Sequence, residues 1–582
     1  MLTFKKKMKM KKMKKLIYFM AASVMIITTA CNDVLDTDNL NGKSLDTFYA
    51  TPTDIEEAMG GVYNALYMGS PHAEESIAAG LMSDLMLAGG GPDDISAKNV
   101  DKFEDPGEDT YRDVWVQSYK GIARSSAIIE QTPDKDFTLY FDNAEQAQAF
   151  KDEAVGEAHF MRAFNYFRLA KYFGGVPMIV NVDDPKDVPR STLTETYAQI
   201  TTDLLAAIEL MGDTPFPAIP TDRYGHANKW VAQAYLARVY LQYTGYMTNM
   251  MGQATSDLPL ADGGTLSKTE VLTHLNDCIN NSGHQLASDF RNLWPYSYVN
   301  EDAGSTVLPW AANEGLAWVG QEGHSPTFGT GNYETMFVKR FSFGDWGWWN
   351  ALNANLNGQS YTNRMCLFSG IRDNSMVPFG QGWGWCPINP IFYNSWDDAD
   401  PRKQGSVLEM SSAEQGTAGY VPNFGDHETD LFNKKYTAVQ HSGAGMFVNM
   451  YGWGNGDMQL MHAQDFIFMR FADVLLMHSE ISETADGMNQ VRNRAGLGAV
   501  GYSLDALKEE RMHELAFEAL RWFDIVRWGD VNSVFNYTVD VRNTGTDATY
   551  TATYRQETMG LCPIPESEIR LSNGVYEQNP GW

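Results

Sequence analysis

Apolar residues recur at helical spacing on both sides of residues 244–464, a stretch with no sustained period, and this interruption constrains the fold more than any single motif. Helices are expected at Asp54 to Tyr67, Tyr111 to Gln131, Phe150 to Phe173, Thr194 to Met211 and Lys229 to Tyr243. They resume at Asp465 to Glu483, Gln490 to Ala495 and Leu504 to Trp528. The third carries Ala158, Phe160, Ala163, Phe164, Phe167 and Leu169, and is stopped by Gly174-Gly175 with Pro177 just beyond. Small residues interleaved with aromatics, as in Ala163-x-x-x-Phe167 and Ala232-x-Ala234-Tyr235-x-Ala237, suit closely stacked helix pairs of the tetratricopeptide kind. Between Thr244 and Gln464 the chain is rich in Gly, Asn, Asp and aromatic residues, which reads as loops and short strands. That is too long for a structureless connection, so it needs its own packing or a functional surface. The chain is therefore read as mainly α. A helical frame, 51–243 and 465–582, closes in space from both ends of the sequence around an irregular insert, 244–464.

The first 30 residues describe an export signal, with a lysine-rich head and a 15-residue apolar run from Leu16 to Ala30. Such a run spans only ~23 Å as a helix against ~30 Å of bilayer hydrocarbon, so it reads as removed rather than as a permanent anchor. Cys31 directly after Thr29-Ala30 reads as a lipid acceptor, followed by a tether over 31–50. Residues 1–30 hold eight lysines and no acids, so the remaining chain carries 44 − 8 = 36 basic against 73 acidic side chains, a net charge of −37. Such a surface repels phosphate backbones, which argues against nucleic acid as a partner.

Cys278, Cys366, Cys386 and Cys562 remain, and an exported chain meets oxidising conditions. The nearest pair, Cys366 and Cys386, is a candidate disulfide, although connectivity cannot be read from sequence. No Cys-x-x-Cys or Cys-His cluster of metal spacing is present. Asp36-Thr37-Asp38-Asn39-Leu40-Asn41 is rich in oxygen donors but does not match the twelve-residue calcium loop. No metal or cofactor is expected.

Four stretches resemble one known family. They are Glu157-Ala158-His159-Phe160-Met161-Arg162-Ala163-Phe164 through Tyr172-Phe173-Gly174-Gly175-Val176-Pro177; Phe468-Met469-Arg470-Phe471-Ala472-Asp473 to Glu480; Arg511 through Glu518 to Arg521-Trp522-Phe523-Asp524 and Arg527-Trp528; and Pro563-Ile564-Pro565 to Gln578-Asn579-Pro580-Gly581. In this order they resemble the SusD/RagB outer-membrane lipoproteins of the Bacteroidetes. The resemblance implies four tetratricopeptide-like helix pairs and an irregular ligand-facing region. It also implies a lipid-anchored position on the cell exterior, a SusC-like TonB-dependent transporter as partner, and no catalysis. Spacings of three among Glu518, Arg521, Asp524 and Arg527 allow pairing on a helix face, and Arg470, Asp473 and Glu480 sit beside Leu475 and Leu476. Both sets read as ionic groups that fix helix packing.

Six of fifteen tryptophans fall between Trp346 and Trp396. Indole offers a broad apolar face for a sugar ring, while neighbouring amides and carboxylates bond its hydroxyls. The candidate ligand residues are Trp346, Trp348, Trp349, Trp383 and Trp385 with Asp345, Asn350 and Gln381. On a strand, the spacing of two in Trp346-x-Trp348 and Trp383-x-Trp385 puts both rings on one face, and a Cys366–Cys386 bridge would stiffen that platform. In the resembling family the segment after a Ser-Asp pair, here Ser83-Asp84 to Gly89-Gly90-Gly91, also approaches ligand. The glycine triplet by itself reads as a flexible turn, since Pro92 follows and no phosphate-loop Lys-Ser/Thr is present.

These residues point to a glycan-binding lipoprotein that captures polysaccharide or oligosaccharide. Two alternatives stay open: a peptide-binding relative with a groove of backbone hydrogen bonds, and a helical scaffold whose only ligand is another protein. A glycoside hydrolase would need two carboxylates separated by roughly 5 Å or 6.5–9.5 Å. Asp345, Asp397, Asp398 and Asp400 lie near the tryptophans, but Asp400-Pro401-Arg402 reads as a turn with a salt link. No Gly-x-Ser-x-Gly or His-Glu-x-x-His pattern is present.

Overall fold

The computed structural model describes residues 48–582 apart from 71–72, 106, 108, 221–222, 299–308, 321–331, 342–362, 373–375, 377, 422–424, 442–443 and 446–461. The signal, Cys31 and most of the tether lie outside the described residues, as do Asp345, Trp346, Trp348, Trp349 and Asn350. The chain divides into Met1–Ile55 and Glu56–Trp582. Within the first unit, Thr51 donates through both its amide and its hydroxyl to Asp54 Oδ2, each at 2.8 Å, which opens the helix Pro52–Asn64.

In the large unit the frame helices are α1 (Arg112–Gln131), α2 (Ala144–Phe173), α3 (Leu193–Leu210), α4 (Lys229–Asn249), α5 (Lys268–Asn281), α6 (Phe471–Ser482), α7 (Asp486–Arg494), α8 (Leu504–Glu514) and α9 (Arg521–Trp528). Each of α1 to α5 packs on the next, α5 packs on α6, and α6 receives α7 and α8, while α9 folds back on α4. Starts follow from capping. Thr192 with Glu195 and Ser267 with Glu270 form capping boxes, and Asn143, Asn228 and Ser503 cap α2, α4 and α8. Ala158 and Ala163 on α2 and Ala232, Ala234 and Ala237 on α4 are fully buried, as close stacking requires. The C-terminal tail locks the end of α2: Asn579 Nδ2 donates to Phe173 O at 3.1 Å, and Arg190 Nη2 donates to both Phe173 O and Asn579 Oδ1 at 2.7 Å.

Three expectations are corrected. Residues Phe466–Arg470 form a strand, not the first turn of α6, because Phe-Ile-Phe-Met pairs antiparallel with Thr335–Lys339 and all five residues are buried. This pair delivers Phe337 and Phe468 to Phe160 and Phe164 of α2 and Tyr235 of α4, with ring centroids 5.2–6.3 Å apart, and that is the centre of the core. Lys268–Asn281 is helical within a region read as loops and short strands, and it packs on α4 and α6. Finally, Leu504 to Trp528 is two helices. Phe517 and Ala519 take φ of 66° and 62°, and the Glu514 carbonyl at the end of α8 accepts from Arg470 Nη2 at 2.6 Å and Lys435 Nζ at 2.9 Å. Two buried cations cap α8 there, and the left-handed residues turn the chain into α9.

The ionic motifs act in packing. Arg470 bonds Glu334 Oε1 at 2.7 Å, Glu514 Oε1 at 2.5 Å and Glu518 Oε2 at 2.7 Å. Arg402 bonds Asp400, Glu510 and Glu514, Arg494 bonds Glu334 and Glu514, and Lys435 bonds Glu518. A second set links Asp473 to Arg238 and Arg511, Asp524 to Arg511 and Arg527, and Glu480 to Arg527. Burial pushes the Glu514 carboxyl up, but Arg494, Arg470 and Arg402 hold it well below the usual carboxylate range. Removing one partner from such a network leaves charge uncompensated, so Arg470→Met is expected to lower unfolding free energy by about 3–5 kcal/mol in a urea titration. A loss under ~1 kcal/mol would mean that the network relaxes around the gap.

Candidate functional site

Trp383 and Trp385 lie in the middle of a backbone sandwich. On one side Leu85 to Gly90 run antiparallel to 384–389: Gly89 N donates to Trp385 O and Gly90 N to Gly384 O at 2.8 Å, Leu87 N to Pro387 O and Asn389 N to Leu85 O at 2.9 Å. On the other, Trp383 N donates to Leu367 O at 2.8 Å and Trp385 N to Phe368 O at 2.6 Å, beside the short helix Arg364–Phe368. The Phe368 ring meets Trp383 at 4.8 Å and 82°, and Trp385 at 4.2 Å.

The two rings share a neighbour but not an exposure. Trp383 is half-buried, as is Gln381, whereas Trp385 is 7 % exposed and its Nε1 has no partner among the described residues. Trp383 thus remains a candidate contact and Trp385 becomes its support. Trp396 is core, stacked on His513 at 4.5 Å and 6° and bonded through Nε1 to Asp400 Oδ2 at 3.0 Å.

The glycine triplet is not a loose turn. A Cβ on Gly89 would stand 2.4 Å from Gly384 O, and one on Gly90, whose φ is +79°, would stand 2.7 Å from Trp385 Cδ1. Only glycine lets this segment approach the tryptophan loop so closely. Asp94 Oδ2 accepts from Gly91 N at 2.6 Å, and Lys98 Nζ donates to Gly91 O at 2.9 Å and to Asp426 Oδ2 at 2.6 Å. The segment after Ser83-Asp84 is therefore beside the tryptophans, and Asp84 is held by Arg521 at 2.7 Å.

The proposed disulfide is absent: Cys366 and Cys386 are both free and buried, as are Cys278 and Cys562. Cys366 Sγ faces Gln464 Oε1 at 3.4 Å, and the backbone bonds from Trp383 N, Trp385 N and Gly89 N already fix the loop that a bridge was expected to stiffen. Among the four carboxylates weighed for hydrolysis, Asp400 is bound to Arg402 at 2.7 Å, as its turn predicts, and Asp398 pairs with Lys403 at 2.5 Å. Among the described residues, no group of three His, Cys, Asp or Glu side chains is placed to hold a metal.

Sequence reasoning missed the polar groups behind this loop, because Asp101 and Glu428 come from distant segments and no motif marks Arg372. Arg372 Nη1 donates to Trp383 O at 2.9 Å. Both carboxylate oxygens of Glu428 are buried without a partner among the described residues, and burial pushes its carboxyl up to about 7 against the pull of Arg542 and Arg372. Asp101 accepts from Ala88 N at 3.2 Å, yet burial raises it to about 7. The one sequence signal that could have pointed here is the glycine triplet, which reads by itself as a flexible turn.

A family model described as "Starch-binding associating with outer membrane" matches residues 35–241, and one described as "SusD family" matches 389–582. The chain belongs to the SusD/RagB family. SusD-like protein P2 of Formosa agariphila is 25% identical over 594 residues, covering 96% of this chain and 98% of that protein. The structure of a laminarin-binding SusD-like protein superposes with a TM-score of 0.68 at 22% identity, over 92% of this chain and 100% of the other. Surface glycan-binding protein A from Bacteroides thetaiotaomicron, in complex with laminarihexaose, does so at 0.65 and 18%, over 91% and 100%. The helical SusD-like fold is thereby established. These neighbours carry the names of binding proteins.

The ordinary carboxyl values of Asp101 and Glu428 are 3.8 and 4.5. Values raised to about 7 in the fold mean that these groups favour the folded state fully below their ordinary values and lose that contribution as pH rises to 7. Relative to the parent, Asp101→Asn is expected to gain in Tm between pH 5 and pH 8. An unchanged difference across that range would remove burial of this carboxyl as a source of pH dependence.

Proposed function

We propose that this SusD/RagB member is a cell-surface lipoprotein that captures a polysaccharide or oligosaccharide and delivers it to a SusC-like TonB-dependent transporter in the outer membrane. The observation that carries the reading is Trp383, a half-exposed indole braced by Phe368 on a loop with little freedom left to lose on binding. Trp346, Trp348, Trp349, Asp345 and Asn350 are proposed to complete the surface with Gln381, the rings stacking on sugar and the polar groups bonding hydroxyls. Support comes from one structural neighbour named for laminarin binding and another in complex with laminarihexaose. Cys31 is proposed as the lipid acceptor; among the described residues no helix is long and apolar enough to cross a membrane.

Native electrophoresis of the chain from Asn32 onward, through gels containing plant, fungal and host polysaccharides, tests the ligand class. Retardation by one class is expected, weakened at least about tenfold in Kd (~1.4 kcal/mol) by Trp383→Ala or Trp348→Ala. Absence of retardation in every gel would move the reading to a peptide ligand. For the anchor, the full chain is expected in the membrane fraction and Cys31→Ala in the soluble one. Equal partitioning of both would exclude Cys31 as the attachment point.

A further inference from the structure

A groove of about 520 Å³ lies between α1, the segment after α2 and the C-terminal residues 568–576, sharing no residue with the Trp383 loop. Its floor is Trp115, 3 % exposed. Tyr119 and Tyr576, both half-buried, stand against that indole at 5.2 Å and 5.7 Å with interplanar angles of 49° and 48°. Each tyrosine is tied through its hydroxyl to a wall carbonyl, Tyr119 to Pro177 O and Tyr576 to Lys186 O, both at 2.8 Å. The phenols are thus satisfied by protein, and the rings are held rigidly around the groove. Such a volume is within the usual range for small-ligand sites, with rings as the lining and few polar groups around them.

The polar lining decides the ligand. Glu568 is already paired with Arg112 Nη2 at 3.0 Å, which leaves Lys120 and Lys186 against Asp187, so an anionic ligand would meet at most one net positive charge and a cationic one none that attracts it. Four charged side chains around aromatic rings are also poorly matched to a purely apolar guest, which would strip them of water. Donors and acceptors of both signs around fixed rings fit a neutral polyhydroxyl ligand. We propose that this groove is a second glycan site, independent of Trp383, that takes a short neutral oligosaccharide. It rests on the reading of the protein as a glycan binder.

Ala123 is exposed on α1 and lines the groove, so Ala123→Trp fills it without removing a hydrogen bond or a core contact. The full chain in detergent, its Trp383→Ala and Ala123→Trp variants and the double variant are titrated calorimetrically with laminarihexaose, cellohexaose, xylohexaose and mannohexaose. Equal Tm values for parent and Ala123→Trp confirm the fold. At least one hexasaccharide is expected to bind Trp383→Ala and to lose at least tenfold in affinity in the double variant. If the parent binds but Ala123→Trp weakens no component of that binding, the groove is not a glycan site, while the Trp383 reading stands. If the parent binds none of the four, the groove proposal falls, and the Trp383 reading is decided by the polysaccharide gels.

Discussion

The frame is held at its joint by charge buried away from water. Arg402, Lys435, Arg470 and Arg494 meet Asp400, Glu334, Glu510, Glu514 and Glu518, with Arg492 completing the balance from a more exposed position. These residues come from the insert, from the strand before α6 and from α7, α8 and the turn before α9. Burying any one alone would be prohibitive, so each segment reaches its place only when the others supply the opposite sign. That mutual dependence specifies one arrangement of helices and insert, where apolar packing alone would tolerate several.

Much of this frame was legible in the sequence. Alanines interleaved with aromatics on α2 and α4 announced close stacking, Gly174 announced the end of α2, and the position of Arg470, Asp473 and Glu480 beside Leu475 and Leu476 announced structural ion pairs. Phe466–Arg470 was misread because a short apolar run fits either helix or strand by period, and its partner Thr335–Lys339 is far away in sequence. The break between α8 and α9 was invisible for a similar reason. It is imposed by Lys435 and Arg470 reaching the Glu514 carbonyl, in a sequence whose own spacing continues through it.

The site was less legible than the frame. A two-residue spacing brought Trp383 and Trp385 to the same neighbour, but it could not tell which ring faces solvent, since that depends on Gly90 pressing against one of them. The glycine triplet reads as a flexible turn, whereas its missing side chains allow two backbone segments to meet. The polar groups behind the loop, Asp101, Arg372 and Glu428, have no motif to mark them and are assembled only by the fold.

The pairing of Thr335–Lys339 with Phe466–Arg470 also bears on the order of events during synthesis. Helices α1 to α5 can associate through near neighbours, but α6 must find α5 across residues 282–470, and the charges that lock it arrive last. Closing so long a loop is entropically costly and slow compared with local helix pairing. An N-terminal half emerging first would present the unpaired faces of α4 and α5 until the rest of the chain follows. The frame therefore stays open, with its charges unpaired, until the residues beyond 470 have been made.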